Sequence, residues 1–391
     1  MKLFQVELFK LVKSKKYLIF CLAIIMLMAL KTNMVYDYTQ NQRPEVKLAN
    51  NEILLVDYKA KLREEDISEE NKAKYEADIK RIEEENEELR EEIKNPNYNW
   101  RDKLVKKNKS LEAKKEQAEV LLKYNEVEHI NGEILVNNHL LENDVEPRKS
   151  YEVYSFIDMG EIISFISLLF LPVMVMVLGH DSISGEIQFS TIKLLATKPI
   201  KRGKIILTKF LSLFFITTVT LILLESVMLL ILGVIFNRGN PAYPILVGTT
   251  YGVDGLGSIS AIKNSTYIIT AYSYLIKTVI LQVIYVFTAA SFSILISTFC
   301  VSNGMSLMVS SIAMVLFNAI TFVMPQKGLS FIYPYLFTSY GIGGDVINGK
   351  INLLLNTTKI NIGTGLIICL IWGLIFIGIA YRRFVNKDIV V

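Results

Sequence analysis

Residues 179–209 read GHDSISGEIQFSTIKLLATKPIKRGKIILTK. It lies between two long apolar runs, one ending at Leu178 and the next starting near Ile205. It carries six Lys/Arg (Lys193, Lys198, Lys201, Arg202, Lys204, Lys209) against two acids, Asp181 and Glu186. Lys and Arg resist translocation, so a short basic connection between two spans belongs on the cytoplasmic side. The chain therefore reads as an all-α polytopic membrane protein in which 179–204 is a cytoplasmic loop.

Six apolar runs are long enough to cross about 30 Å of hydrocarbon. They are Tyr17 to about Tyr36, in which Lys31 snorkels, Phe156–Leu178, Ile205–Phe236, Tyr272–Phe299, Ser306–Met324 and Ile362–Tyr381. The third and fourth exceed one perpendicular crossing and are expected to tilt or to run past the bilayer. The first follows Lys10, Lys13, Lys15 and Lys16 but lacks an A-x-A-like cleavage site, so it reads as an uncleaved helix. Basic residues at both ends, the last being Arg382, Arg383 and Lys387, put both termini inside with the 179–204 loop, and an even number of spans satisfies this. The segments 37–155, 237–271 and 325–361 then lie outside, and 382–391 is a cytoplasmic tail.

Charge is segregated in the same way. The 391 residues are 51% hydrophobic with mean hydropathy +0.36, although 20% are charged. Residues 37–155 hold 29 acids and 21 bases, a net of −8, whereas the remainder carries +12. The three cysteines, Cys21, Cys300 and Cys369, lie in or beside apolar runs, which excludes a disulfide framework in the hydrophilic domain. That domain reads as a helical hairpin. Tyr75, Ile79, Ile82, Asn86, Leu89 and Ile93 form a heptad seam, Asn95-Pro96-Asn97 breaks it, and a second run from Trp100 carries Leu104, Leu111 and Ala118 at sevens. The expected form is two antiparallel helices projecting roughly 40–60 Å at 1.5 Å per residue. Asn86 either selects a register or marks a wet position near the tip.

The order Asp181, Gly185-Glu186, Thr191, Leu194-Leu195, Pro199, Lys201-Arg202 and Lys209 resembles the corresponding loop of ABC-2-type transporter permeases. That family commonly has Gly-Thr where this chain has Ser190-Thr191. The resemblance implies a short coupling helix docking on a separate ABC ATPase subunit through Asp181, Gly185, Glu186, Thr191, Leu194, Leu195, Pro199, Lys201 and Arg202. It also implies a homodimer, or a heterodimer with a second permease, in the plasma membrane. ATP binding would draw two ATPase subunits together, and the coupling helices would pass that movement into spans two and three, driving export of a peptide antibiotic, lipid or drug. An alternative is a non-transporting scaffold, since one span, a coiled-coil domain and five spans also resembles phage-infection-protein-like and type VII secretion accessory proteins. The Lys/Ile/Asn-rich composition suggests a bacterium.

Chemistry is otherwise sparse. No G-x-x-x-x-G-K-[ST] occurs, so ATP and Mg²⁺ are expected in the partner and no cofactor in this chain. His129, His139 and His180 have no zinc-ligand spacing with cysteines, and no catalytic constellation or nucleic-acid signature stands out. Glu225, inside the third span, is expensive there and is expected to face a partner or cavity. It fits a structural role or the substrate path, with Lys277 one conceivable partner. Asp158 and Glu161 mark the outer mouth of span two. The aromatic, Gly/Pro-broken segment GLSFIYPYLFTSYGIGG before span six reads as an interfacial or re-entrant element whose tyrosines anchor at the membrane surface. For residues 50–145 the expected role is a spacer or stalk, with contact to an external partner as the sharper reading.

Overall fold

In the computed structural model, the described residues are 2–63, 68–95, 99–191, 200–254, 257–323 and 327–386. Among these residues, six helices are long and apolar enough to cross a membrane, and they gather around one hydrophobic core. Helix α1 (Lys2–Val12) leads to α2 (Lys15–Gln40), whose first turn is capped by Ser14, its Oγ accepting from the Tyr17 N–H. Phe20, Ile24 and Met28 of α2 are buried, while Leu18, Leu22, Ile25 and Met26 face outward. Such an apolar outer face is stable only against lipid.

After α2 the chain forms two successive antiparallel helix pairs, where the sequence suggested one hairpin. Pro44, pre-set for a first turn, opens α3 (Pro44–Lys61), which pairs with α4 (Glu69–Lys94). The Tyr75–Ile93 seam of α4 thus packs on α3: Tyr58 lies on Tyr75, and Asn51 donates to Asn86 at 3.0 Å. Asn86 is 2% exposed in the middle of the seam, away from any tip. Of the predicted break, Pro96 and Asn97 lie outside the described residues. Helix α5 (Trp100–Val120) buries Leu104, Leu111 and Ala118 against α6 (Tyr124–Glu142), with Asn108 bonded to both Asn137 and Asn138.

The chain then returns to the bundle as α7 (Ser155–Leu168), α8 (Phe170–Gly179) and α9 (Asp181–Gln188). The break at Leu169 has a cause in Pro172, whose ring excludes the carbonyl four residues back, that of Leu168. Together these pieces run antiparallel to α10 (Arg202–Ile235). The Ser155 N–H meets Asn237 O at one end, and Glu186 meets Lys209 at the other. At 34 residues, α10 is about 50 Å long, more than one perpendicular crossing.

Between α10 and α11 the fold departs from an all-α chain. Strands β1 (Pro244–Val247) and β4 (Tyr267–Thr270) pair antiparallel, as do β2 (Tyr251–Val253) and β3 (Ile259–Ala261). Short β-branched and aromatic runs separated by Gly-containing turns favour this arrangement. Helix α6 lies on β1, β3 and β4. Its Glu128 accepts from the N–H groups of Asn264 (2.7 Å) and Thr266 (2.8 Å), so the second pair is strapped to the connection between α10 and α11.

Helix α11 (Ala271–Phe299) is the most enclosed span, followed by α12 (Asn303–Asn318), which ends in a π-helical turn, Ala319–Val323. In the aromatic segment beyond, Tyr333, Phe337 and Tyr340 are enclosed in the bundle, whereas Phe331 and Tyr335 are exposed. Its irregular backbone is satisfied internally, as an apolar setting requires. Ser339 Oγ donates to Tyr333 O and Tyr340 Oη to Pro334 O, both at 2.7 Å. Short helices α13 (Gly343–Asn348) and α14 (Ile351–Leu354) lead into α15 (Ile362–Asn386). There Gly373 admits the Phe287 ring, which a Cβ would meet at 2.4 Å, and Thr288 Oγ1 donates to Cys369 O at 2.8 Å. Small residues and interhelical hydrogen bonds are what joins helices in lipid.

Candidate functional site

One end of the bundle carries Lys10, Lys13, Lys16, Lys201, Arg202 and Arg383; the opposite end carries the helix pairs and strands. At this basic end the Asp181–Thr191 motif is folded into the bundle. Asp181 opens α9, where the helix dipole favours a carboxylate, and is paired with Lys16, whose Nζ also donates to Leu178 O at 3.0 Å. The first N–H groups of a helix lack intrahelical partners. Here Ser297 of α11 supplies them: its Oγ accepts from Ile183 and Ser184 N–H, both at 3.0 Å, and donates to His180 O at 2.7 Å. Ser306 of α12 donates to the same carbonyl at 2.7 Å, and the Asn303 N–H meets Gln188 Oε1 at 2.8 Å.

Gly185 makes this docking possible. A Cβ there would lie 3.0 Å from Asn303 Oδ1 and 3.2 Å from Asp181 Cβ, tighter than side chains tolerate without movement. Glu186 turns the other way and accepts from Lys209 of α10 at 2.6 Å. The Lys209 side chain is 4% exposed and also bonds Glu7 of α1 at 3.2 Å. Lys10 reaches Glu7 at 3.3 Å and Glu186 at 3.7 Å. Two acids and two bases thus neutralise one another where an unpaired charge would be prohibitive, and they bind α1, α9 and α10 into one unit. Beyond them opens a cleft of about 540 Å³ between the α1–α2 junction and α9, lined by Leu11, Ser14, Ser182, Phe189 and Thr191 as well as the charged groups. Phe189 is 67% exposed at its mouth.

Of the motif residues, Asp181, Gly185, Glu186 and Thr191 meet at this cleft. Thr191 is exposed beyond the end of α9, just after Ser190, which takes the left-handed region (φ +56°). Leu194, Leu195 and Pro199 lie outside the described residues. Lys201 is exposed at the start of α10, and Arg202 donates to Val385 O of α15 at 3.4 Å, so this pair is not on the cleft. Sequence reasoning used the lysines before α2 for orientation only and passed over Glu7. The available signal was that Glu7 is the sole acid among residues 1–36.

Glu225 forms a separate site. It is enclosed between α10 and α11, and its Oε1 accepts from Gln282 Nε2 at 2.7 Å. Lys277, the partner conceivable from sequence, does not pair with it; a neutral amide does. Sixteen residues of α10, about 24 Å, separate Glu225 from Lys209.

Over residues 1–389, the sequence matches the family described as ABC-2 family transporter protein. No curated protein matches it.

Proposed function

Because this chain belongs to the ABC-2 transporter family, we propose that it is the membrane-spanning permease subunit of an ABC exporter whose ATPase is a separate polypeptide. The observation that carries this reading is the lock at the basic end: α9 is fixed to α11 and α12 by Ser297, Ser306 and Asn303, and to α10 and α1 through Lys209. A push on α9 would therefore reach α10 and α11 without slack. The basic end faces the cytoplasm in this proposal, consistent with the bias of Lys and Arg. The ATPase seats a helix in the cleft against Phe189 and Thr191. Two permease chains, identical or not, are each pushed from below by one ATPase, and substrate passes outward.

The test is co-purification. Full-length chain co-expressed with an ABC ATPase should retain it through detergent extraction. Phe189→Asp, which changes a side chain largely exposed at the mouth of the cleft, should lose it while membrane insertion and thermal stability stay as in the wild type. Retention of the ATPase by Phe189→Asp would reject docking at this cleft. Purification of the wild-type chain free of any P-loop protein would favour the scaffold reading.

A further inference from the structure

The carboxyl of Glu225 is 4% exposed in the apolar bundle and makes one hydrogen bond, from Gln282 Nε2 to Oε1. Its Oε2 is buried without a partner. Among the described residues, the neighbouring elements offer no counter-charge at its level. On α2 only the Cys21 thiol is titratable between Tyr17, which bonds Thr220, and Lys31. The α7–α8 stretch has none between Glu161 and His180. On α11 only the Tyr285 phenol is titratable between Lys277 and Cys300, and on α15 only the Cys369 thiol between Ile362 and Tyr381. The Glu7–Lys10 pair of α1 is held at Lys209.

An ionised carboxylate with a single neutral donor is far costlier in such a place than a carboxylic acid with one hydroxyl unpaired. On the far side of Gln282, the gap lined by Ser167, Thr278, Tyr285 and Tyr340 has no room for a water molecule, so the amide has no solvent behind it. We propose that Glu225 is a proton-binding site of the membrane domain, loaded whenever α10 and α11 are packed together as here.

The proton sits on Oε2, which leaves Oε1 free to accept from Gln282. When α10 parts from α11 and water reaches the carboxyl, the Oε2–H bond breaks with both electrons remaining on oxygen, and the proton passes to that water. The carboxylate is then stable only while hydrated. Repacking the two helices requires the proton back, so their closure is linked to uptake of one proton.

Infrared spectroscopy of the full-length protein in lipid vesicles near neutral pH tests this directly. The wild type should show a protonated-carboxyl C=O band above the amide I region, and Glu225→Gln should abolish it. Gln282→Leu keeps the acid but removes the donor to its carbonyl oxygen, and should move the band to higher wavenumber. A spectrum without such a band, or a band unmoved by both variants, would overturn the assignment. If Glu225→Gln fails to fold, the shift or constancy in Gln282→Leu decides alone.

Discussion

Lys209 shows how much one side chain carries. Its ammonium is shielded from water and held by Glu186 at 2.6 Å and Glu7 at 3.2 Å. Removing one member of a buried charge set costs about 3–5 kcal/mol, because the others are left uncompensated. Lys209→Met should therefore lower the stability of the vesicle-embedded protein by about that amount in thermal unfolding. Adding Glu7→Gln and Glu186→Gln should recover most of the loss, since the three sites couple. A single variant within about 0.5 kcal/mol of wild type, the range of ordinary surface changes, would mean that the network is not holding α1, α9 and α10. The same contacts make Glu186→Lys a poor probe of docking, because it breaks the chain's own packing. Ser190 is the second residue to watch. A non-glycine side chain in the left-handed region costs about 1–2 kcal/mol, so Ser190→Gly should be neutral or stabilising and Ser190→Val clearly destabilising, read as the shift in midpoint temperature.

At the scale of elements, the strap between α6 and the strands is the contact most open to test. Burial acts to raise the Glu128 pKa, but the hydrogen bonds from Thr266 and Asn264 outweigh it and hold the carboxyl below its ordinary value. A depressed pKa gives stability that is full above the unfolded value and is lost as pH falls through the folded one. Amide exchange at Asn264 and Thr266 should thus be slow at neutral pH and accelerate in acid below the ordinary glutamate range. Glu128→Gln should accelerate it already at neutral pH, by about the 1–3 kcal/mol of an unsatisfied buried group. Unchanged protection in both cases would remove the strap. This region was only half legible in the sequence. The α4 seam announces itself by its heptads, yet its partner α3 presents Asn51, Leu55 and Tyr58, a mixed face without a clean apolar period. The turn at Leu121–Lys123 contains neither Gly nor Pro, and Leu122 takes φ +55° there, so nothing in the sequence divides α5 from α6. Strands of three and four residues are too short for alternation to show.

For the whole molecule, the six spans were readable because hydrocarbon imposes a length and an apolar composition that no packing detail can override. The break in the second span was readable in principle from Pro172. The Glu7–Lys209 contact was not, since it joins residues 202 apart in sequence and depends on which helices become neighbours. Nor was the enclosure of Tyr333 and Tyr340, since an aromatic cluster broken by glycine and proline reads equally well as a surface anchor. The central claim is that an ATPase pushes on α9 at the basic end, and cross-linking in intact membranes tests it most directly. A photoreactive residue at Phe189, at the mouth of the cleft, should capture a P-loop ATPase, whereas one at the exposed Val120, at the far end of the bundle, should not. Capture at Val120 in place of Phe189, or at neither position with the ATPase present, would contradict the account.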